Sequence, residues 1–361
     1  MYILFYFLLG LIVPLALCNG QERKIRFLGY DWNVPILMAV TFVVLIRSFA
    51  YNTGTDYLAY YKHYFYVAHG LRDYWGEHRE IGYQWLVALL AKISDHPQLF
   101  FGVSAFIFTY SVLKISRLFG KPERFILLLW PLFMFILSYN LYRQYIAISL
   151  LLLAICYYVN GKKIKMGIAF VVSFLFHTSA VVGIAVIIGV WFYRNRVIKI
   201  NYLLIALGIT TVLSSKVSLI LSKLADIFSI FYFYVTGKIY SSDDIIRSMY
   251  ETSSLLYINS LAYGIFIWYG HKLCEKYPKY LFFFYMFSLA CILEPITRQE
   301  ILMRLWLYIQ AFTPIFLGIL FYNYRNVQKY PILWGALGYK VLYYLYALNT
   351  LGNLHPLIFK F

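Results

Sequence analysis

The chain has 361 residues, of which 62% are hydrophobic and only 13% charged, with a mean hydropathy of +0.69. Soluble proteins are about half apolar and a quarter charged, so this composition excludes an ordinary water-soluble enzyme and points to an all-α, polytopic integral membrane protein. The net charge of +17 is read as basic loops at a membrane surface, with membrane lipids and no nucleic acid as the partner.

A spanning helix takes roughly 20 apolar residues, and the runs in this chain supply about ten to twelve spanning or membrane-dipping helices in one transmembrane domain, 1–361. In chain order they fall at 2–17, 34–50, 97–115, 124–139, 142–159, 166–177, 180–193, 200–214, 254–270, 280–297, 301–322 and 331–349. The stretch Leu15-Ala16-Leu17-Cys18 lacks the small residue of a lipoprotein cleavage box, so 2–17 is read as a first span. Residues 166–193 are expected as a helical hairpin turning at His177-Thr178-Ser179. A single span there would put Lys162-Lys163 and Arg194-Arg196 on opposite faces. Two stretches are expected outside the membrane core. Residues 51–96 form an outer loop with a surface-lying helix around 81–93, and 215–253 form a second outer loop. The four cysteines are scattered and read as embedded residues without disulfides.

Charge sets the orientation. With both termini outside, the inner loops carry 18 of the 32 basic residues and 4 of the 15 acidic ones, as the positive-inside rule requires. Polar variety then collects on the outer side. The stretch FILSYNLYRQYIAIS, residues 135–149, places Arg143 at the outer start of the fifth segment. Free backbone N–H groups and the helix dipole favour an anion there. Arg47 ends the second segment on the same face, and Arg298 and Arg304 begin the eleventh. One such arginine can simply snorkel to lipid headgroups. Four on one face, each at a helix end, suit a shared anionic ligand. Arg143-Gln144 and Arg298-Gln299 each open a helix after a short outer turn, so the two could hold the two phosphates of one diphosphate.

Three further residues are candidates for acid–base work. Asp56 follows Gly54 in YNTGTDYLAYYKHY and reads either as a helix-capping residue or as a carboxylate that takes a proton. Glu80 opens HREIGYQWLVALL and reads either as charge matching at a helix start or as a second carboxylate. His177 marks the break in FLFHTSA. Tyr51, Tyr57 and Tyr60 belong to a tyrosine cluster denser than an interfacial belt requires, and with Gln144 they are candidate glycan contacts. No D-x-D, H-x-x-x-H, G-x-S-x-G or P-loop Gly-Lys-Ser/Thr occurs in the chain. No metal site and no cofactor is therefore expected.

The ordered set RSFAYNTGTDYLAYY (47–61), EIGYQW (80–85), NLYRQYIA (140–147), FLFHTSAVV (174–182) and RLWLY (304–308) resembles the EpsG group of Wzy-type polysaccharide polymerases. The resemblance runs from about Arg47 to Tyr308, and the flanks match only as spans. It implies a bacterial inner-membrane glycosyltransferase of the polytopic, lipid-carrier (GT-C-like) kind, with its active site facing the periplasm. It also implies that an undecaprenyl-diphosphate-linked oligosaccharide serves as both donor and acceptor in O-antigen or exopolysaccharide synthesis, without a metal. A chain-length regulator in the membrane is an implied partner. The resemblance carries over Arg47, Gly54, Asp56, Glu80, Arg143, His177 and Arg304; Arg298 comes from its position alone. Two alternatives fit the same residues. One is a ligase-like transferase with the same donor. The other is a flippase or transporter, which would need polar groups along the whole membrane path.

Overall fold

The computed structural model describes residues 24–27, 30–51, 56–71, 80–135, 138, 141–214, 254–297, 300–350 and 358–359. The expected first span 2–17, the second outer loop 215–253 and Arg298 lie outside these residues. The described chain is overwhelmingly helical. Four stretches are long and apolar enough to cross a membrane: Gln98–Phe119, Tyr142–Val159, Pro278–Ile296 and Met303–Asn323. Shorter apolar helices accompany them, as a polytopic membrane protein requires. The described cysteines Cys156, Cys274 and Cys291 are buried thiols.

The helices form two compact units. The first comprises the described residues up to Val181 with Leu317–Tyr322 and those from Val341 onward. It contains α1 (Val34–Phe49), α2 (Tyr57–Ala68), α3 (Ile81–Ala91), α4 (Gln98–Ser116), α5 (Glu123–Trp130), α6 (Tyr142–Val159) and α7 (Lys163–Phe176). Helix α4 packs between α1 and α6, and α7 covers α6. Helix α6 is buried on nearly every side, with Tyr142, Ile146, Ser149 and Leu152 all in the interior, as expected of a central helix. Two antiparallel ribbons add the only described strands. One pairs β1 (Lys24–Phe27) with β2 (Tyr30–Asn33). In the other, β3 (Ala50–Tyr51) pairs with β4 (Ile358–Phe359) in the register Ala50↔Phe359 and Tyr51↔Ile358.

Local sequence explains the helix ends. After α6 the chain reads Asn160-Gly161-Lys162. Gly161 adopts φ 71°, its N–H reaches Tyr158 O at 2.9 Å, and Lys162 N–H reaches Tyr157 O at 2.8 Å. This paired cap satisfies the last carbonyls and needs the left-handed conformation glycine tolerates. Gly70 ends α2 the same way, with φ 64° and Leu71 N–H to Tyr66 O at 2.8 Å. The stretch 51–96 thus holds a helix, α2, that was not expected, besides α3, which falls where a helix around 81–93 was expected.

The second unit comprises Val182–Phe316 and Asn323–Lys340. It holds most of α8 (Ala180–Tyr193), then α9 (Ile200–Val212), α10 (Ser254–Lys276), α11 (Leu281–Leu293), α12 (Glu300–Gln310), the start of α13 (Thr313–Asn323) and the first half of α14 (Pro331–Thr350). Phe266, Phe284, Phe287 and Phe316 form its core. The run expected at 301–322 appears as the stretch Met303–Asn323, in which Ala311 and Phe312 form a turn between α12 and α13. The run expected at 166–193 is two helices separated by His177, Thr178 and Ser179.

Candidate functional site

The first unit gathers Arg143, Glu80 and Tyr60. Arg143 sits in the first turn of α6. Its Nη1 donates to Glu80 Oε2, and its Nε donates to Tyr60 Oη at 3.1 Å. Both charged side chains are largely buried, at 12% and 16% exposure. That environment strengthens the ion pair relative to one in water. The guanidinium also lies over the Tyr83 ring, 5.8 Å from its centre.

Glu80 reaches Arg143 because of how α3 begins. Glu80 takes an extended backbone (φ −60°, ψ 140°), and its side chain makes no capping bond. Its carbonyl accepts from Gln84 N–H at 3.1 Å, while the carboxylate turns away to the arginine. Charge matching at the helix start is therefore a minor part of its role. Gly82, two residues on, lies against α7: a Cβ there would sit 2.9 Å from the backbone of Leu175 and 3.1 Å from Phe176. Glycine permits this approach, which seats the start of α3 on the end of α7.

Arg47 ends α1 and is only 2% exposed. It donates from Nη1 to Ser138 Oγ and from Nη2 to Ser138 O. Its guanidinium lies over the ring of Tyr142, 4.6 Å from the centre. Tyr142 immediately precedes Arg143, so the residue that faces Arg47 is next in the chain to the second arginine. Asp56, half-buried just before α2, lies within electrostatic reach of Tyr142. Its carbonyl starts α2 by accepting from Tyr60 N–H at 3.2 Å, and its side chain makes no capping bond. His177 follows the last residue of α7 in extended conformation, with Nδ1 2.6 Å from Ser179 Oγ. Leu175 touches Gly82, so His177 stands at the end of α7 that receives the start of α3.

An aromatic cluster encloses these groups. Tyr57, Tyr60, Tyr64, Tyr83, Phe100, Phe101 and Tyr142 are buried together. Tyr60 meets Tyr142 edge-on at 5.0 Å, and Tyr57 stacks on Phe101 at 4.7 Å. Tyr64 donates to Ser94 O at 2.8 Å, and burial with the nearby Asp95 pushes its hydroxyl up to about 12. Tyr57 and Tyr60, read in the sequence as glycan contacts, present their rings to protein in this arrangement, and Gln144 is 1% exposed. The side chain of Tyr51 lies outside the described residues. Arg304 lies in α12 of the second unit, partly buried. Among the described residues no group of three His, Cys, Asp or Glu side chains is placed to hold a metal ion.

Ser138, Tyr83 and Tyr142 were not singled out in the sequence, although they hold or face the two arginines. The available signals were slight: Ser138 in the apolar approach to Arg143, and tyrosines beside Arg143 and Glu80.

No curated protein and no solved structure matches the chain. The sequence model of the EpsG family matches residues 33–357, most of the chain and all the motifs that build this site. Arg47 and Arg143, Glu80 with its tyrosines, and the helices that carry them fall within that match, and the chain belongs to the EpsG family.

Proposed function

We propose that this membrane-embedded protein is a glycosyltransferase that joins undecaprenyl-diphosphate-linked oligosaccharide repeat units into O-antigen or exopolysaccharide at the periplasmic face of the bacterial inner membrane. Family membership supports a polysaccharide polymerase. The observation that carries the mechanism is the buried Arg143–Glu80 pair with Tyr60 at the head of α6.

The chemistry follows from that pair. Cleaving the sugar–phosphate bond releases a diphosphate, whose developing charge needs fixed cations. A guanidinium supplies two parallel N–H donors to phosphate oxygens. Arg143 is already desolvated and oriented by Tyr60, so binding the donor exchanges one anionic partner for another. The donor diphosphate takes the place of Glu80 on Arg143. The displaced carboxylate, no longer neutralised by the arginine, becomes a better base. It then accepts the proton of the acceptor hydroxyl as that oxygen attacks the anomeric carbon and the diphosphate departs. Asp56 and His177 are the other groups available for this proton. Arg47, tied to Ser138 and Tyr142, fixes the neighbouring wall and adds positive potential. Arg304, and Arg298 by its sequence position, are proposed as further donor-binding residues.

The test is reconstitution in liposomes with purified undecaprenyl-diphosphate repeat unit, read as glycan length on a gel, with and without chelator. Longer glycans that persist in chelator and vanish in the R143A variant are expected. Translocation of the lipid-linked unit without elongation would replace this reading with a flippase. Chelator-sensitive elongation would remove the arginines from their central place.

A further inference from the structure

The second unit contains a charged network that the reading above does not use. Lys340 lies midway along α14 and is 5% exposed. Its Nζ donates to Tyr263 Oη at 2.7 Å and to Asn259 Oδ1 at 3.1 Å, and lies 3.7 Å from Glu294 Oε1. Tyr263 in turn donates its hydroxyl proton to Glu294 Oε2. The ammonium also lies over the Tyr263 ring, 4.0 Å from its centre. One lysine thus joins α14, α10 and the far end of α11.

An ammonium midway along an apolar helix is costly to insert, and well-packed apolar residues commonly stabilise at least as well as a buried ion pair. Mere stability is therefore a weak reason for this network. Its position suggests a stronger one. Glu294 opens the short 3₁₀ turn Glu294–Ile296 that links α11 to α12. The carbonyl of Glu294 accepts from Thr297 N–H at 3.2 Å and from Thr297 Oγ1 at 3.0 Å. Six residues into α12, the indole of Trp306 donates to Ala290 O at 2.8 Å and ties the helix back to α11. Arg304 lies between Thr297 and Trp306 in the chain.

We propose that Lys340 and Glu294 are positioning residues. The network pins the α11–α12 turn, and through it the register of α12 that presents Arg304. The functional part of this rests on the polymerase reading, in which Arg304 contacts the donor diphosphate. The positioning itself does not depend on that reading. Misplacement of a binding group by 1 Å can lower turnover by about a hundredfold, so a small rotation of α12 is sufficient to matter.

The experiment compares wild type with the double variant E294Q/K340M in the full-length, detergent-purified protein. The single variant K340M leaves the partly buried Glu294 carboxylate with Tyr263 but without its cation and is expected to unfold more readily. The double variant removes both charges and is expected to stay folded, with an unchanged elution volume. Two readouts follow. Hydrogen–deuterium exchange over residues 293–306 should quicken at least about tenfold in the double variant, with the rest of the second unit unchanged. Turnover of undecaprenyl-diphosphate repeat unit should fall at least about tenfold while KM moves much less. K340R, which keeps the charge, should restore both toward wild type. Unchanged exchange over 293–306 overturns the positioning. Changed exchange with unchanged turnover confines it to folding and overturns its link to Arg304. A wild-type protein that never elongates glycan overturns the polymerase reading, and the exchange arm still decides the positioning. A double variant that does not fold overturns the proposal, because the network is then required for the fold itself.

Discussion

Removing the Arg143 side chain leaves the Glu80 carboxylate in a mostly buried place without its cation, so R143A should lose stability as well as function. A drop of about 1–3 kcal/mol is expected for a charged acceptor left unpaired, read as a lower melting temperature in detergent. R143K keeps the charge and separates the two effects. It should melt close to wild type yet lose about a hundredfold in turnover, since a point charge does not reproduce two parallel N–H donors. Y60F removes only the hydroxyl that accepts from Arg143 Nε. Its cost should be about 1 kcal/mol, or roughly fivefold in turnover. At this scale the sequence was partly legible. Arg143 stood out because a guanidinium in a short gap between apolar runs needs a reason. Glu80 stood out too, as a candidate carboxylate, but their pairing did not, because the two are 63 residues apart in the chain and only the fold brings them together. Lys340 also breaks an apolar run, but its partners come from two other stretches of sequence, α10 and the turn at Glu294.

Helix packing sets where these side chains point, and glycines control it at two crossings. Gly82 lets α3 meet the end of α7. G82A would push a methyl to 2.9 Å from backbone that cannot swing aside. It should therefore shift Glu80 and lower both melting temperature and turnover. G82S should be no milder, and a wild-type G82A would mean α3 is free to slide. Gly318 in α13 lies against Ile126 of α5, where a Cβ would come 2.6 Å from the Ile126 Cα. G318A should destabilise the first unit without touching the site. Apolar period and length made the long helices readable, and α6 matches its expected bounds of 142–159. Helix α2 was harder to read. Its Tyr- and His-rich face resembles a polar loop until its partners, Tyr83, Phe100 and Phe101, are in place. The one local sign was Gly70, which ends it.

Across the whole molecule, the distribution of charge predicts the sidedness that the proposed chemistry requires. The ends of α2 and α6 provide the check. In a variant with the four native cysteines replaced, L71C should react with a membrane-impermeant maleimide in intact spheroplasts. K162C should react only after the membrane is opened. Both positions are exposed, so protein packing will not hide either. Labelling of K162C from outside would invert the arrangement and place Arg143 on the cytoplasmic side, where a periplasmic donor cannot reach it.

The ribbon between Ala50–Tyr51 and Ile358–Phe359 has a practical bearing on how the protein is handled. Its inner strand begins three residues after Arg47, so a purification handle or fluorescent reporter fused behind Phe361 loads a pairing that lies close in the chain to that arginine. Trimming the last four residues should weaken catalysis while leaving the helices intact.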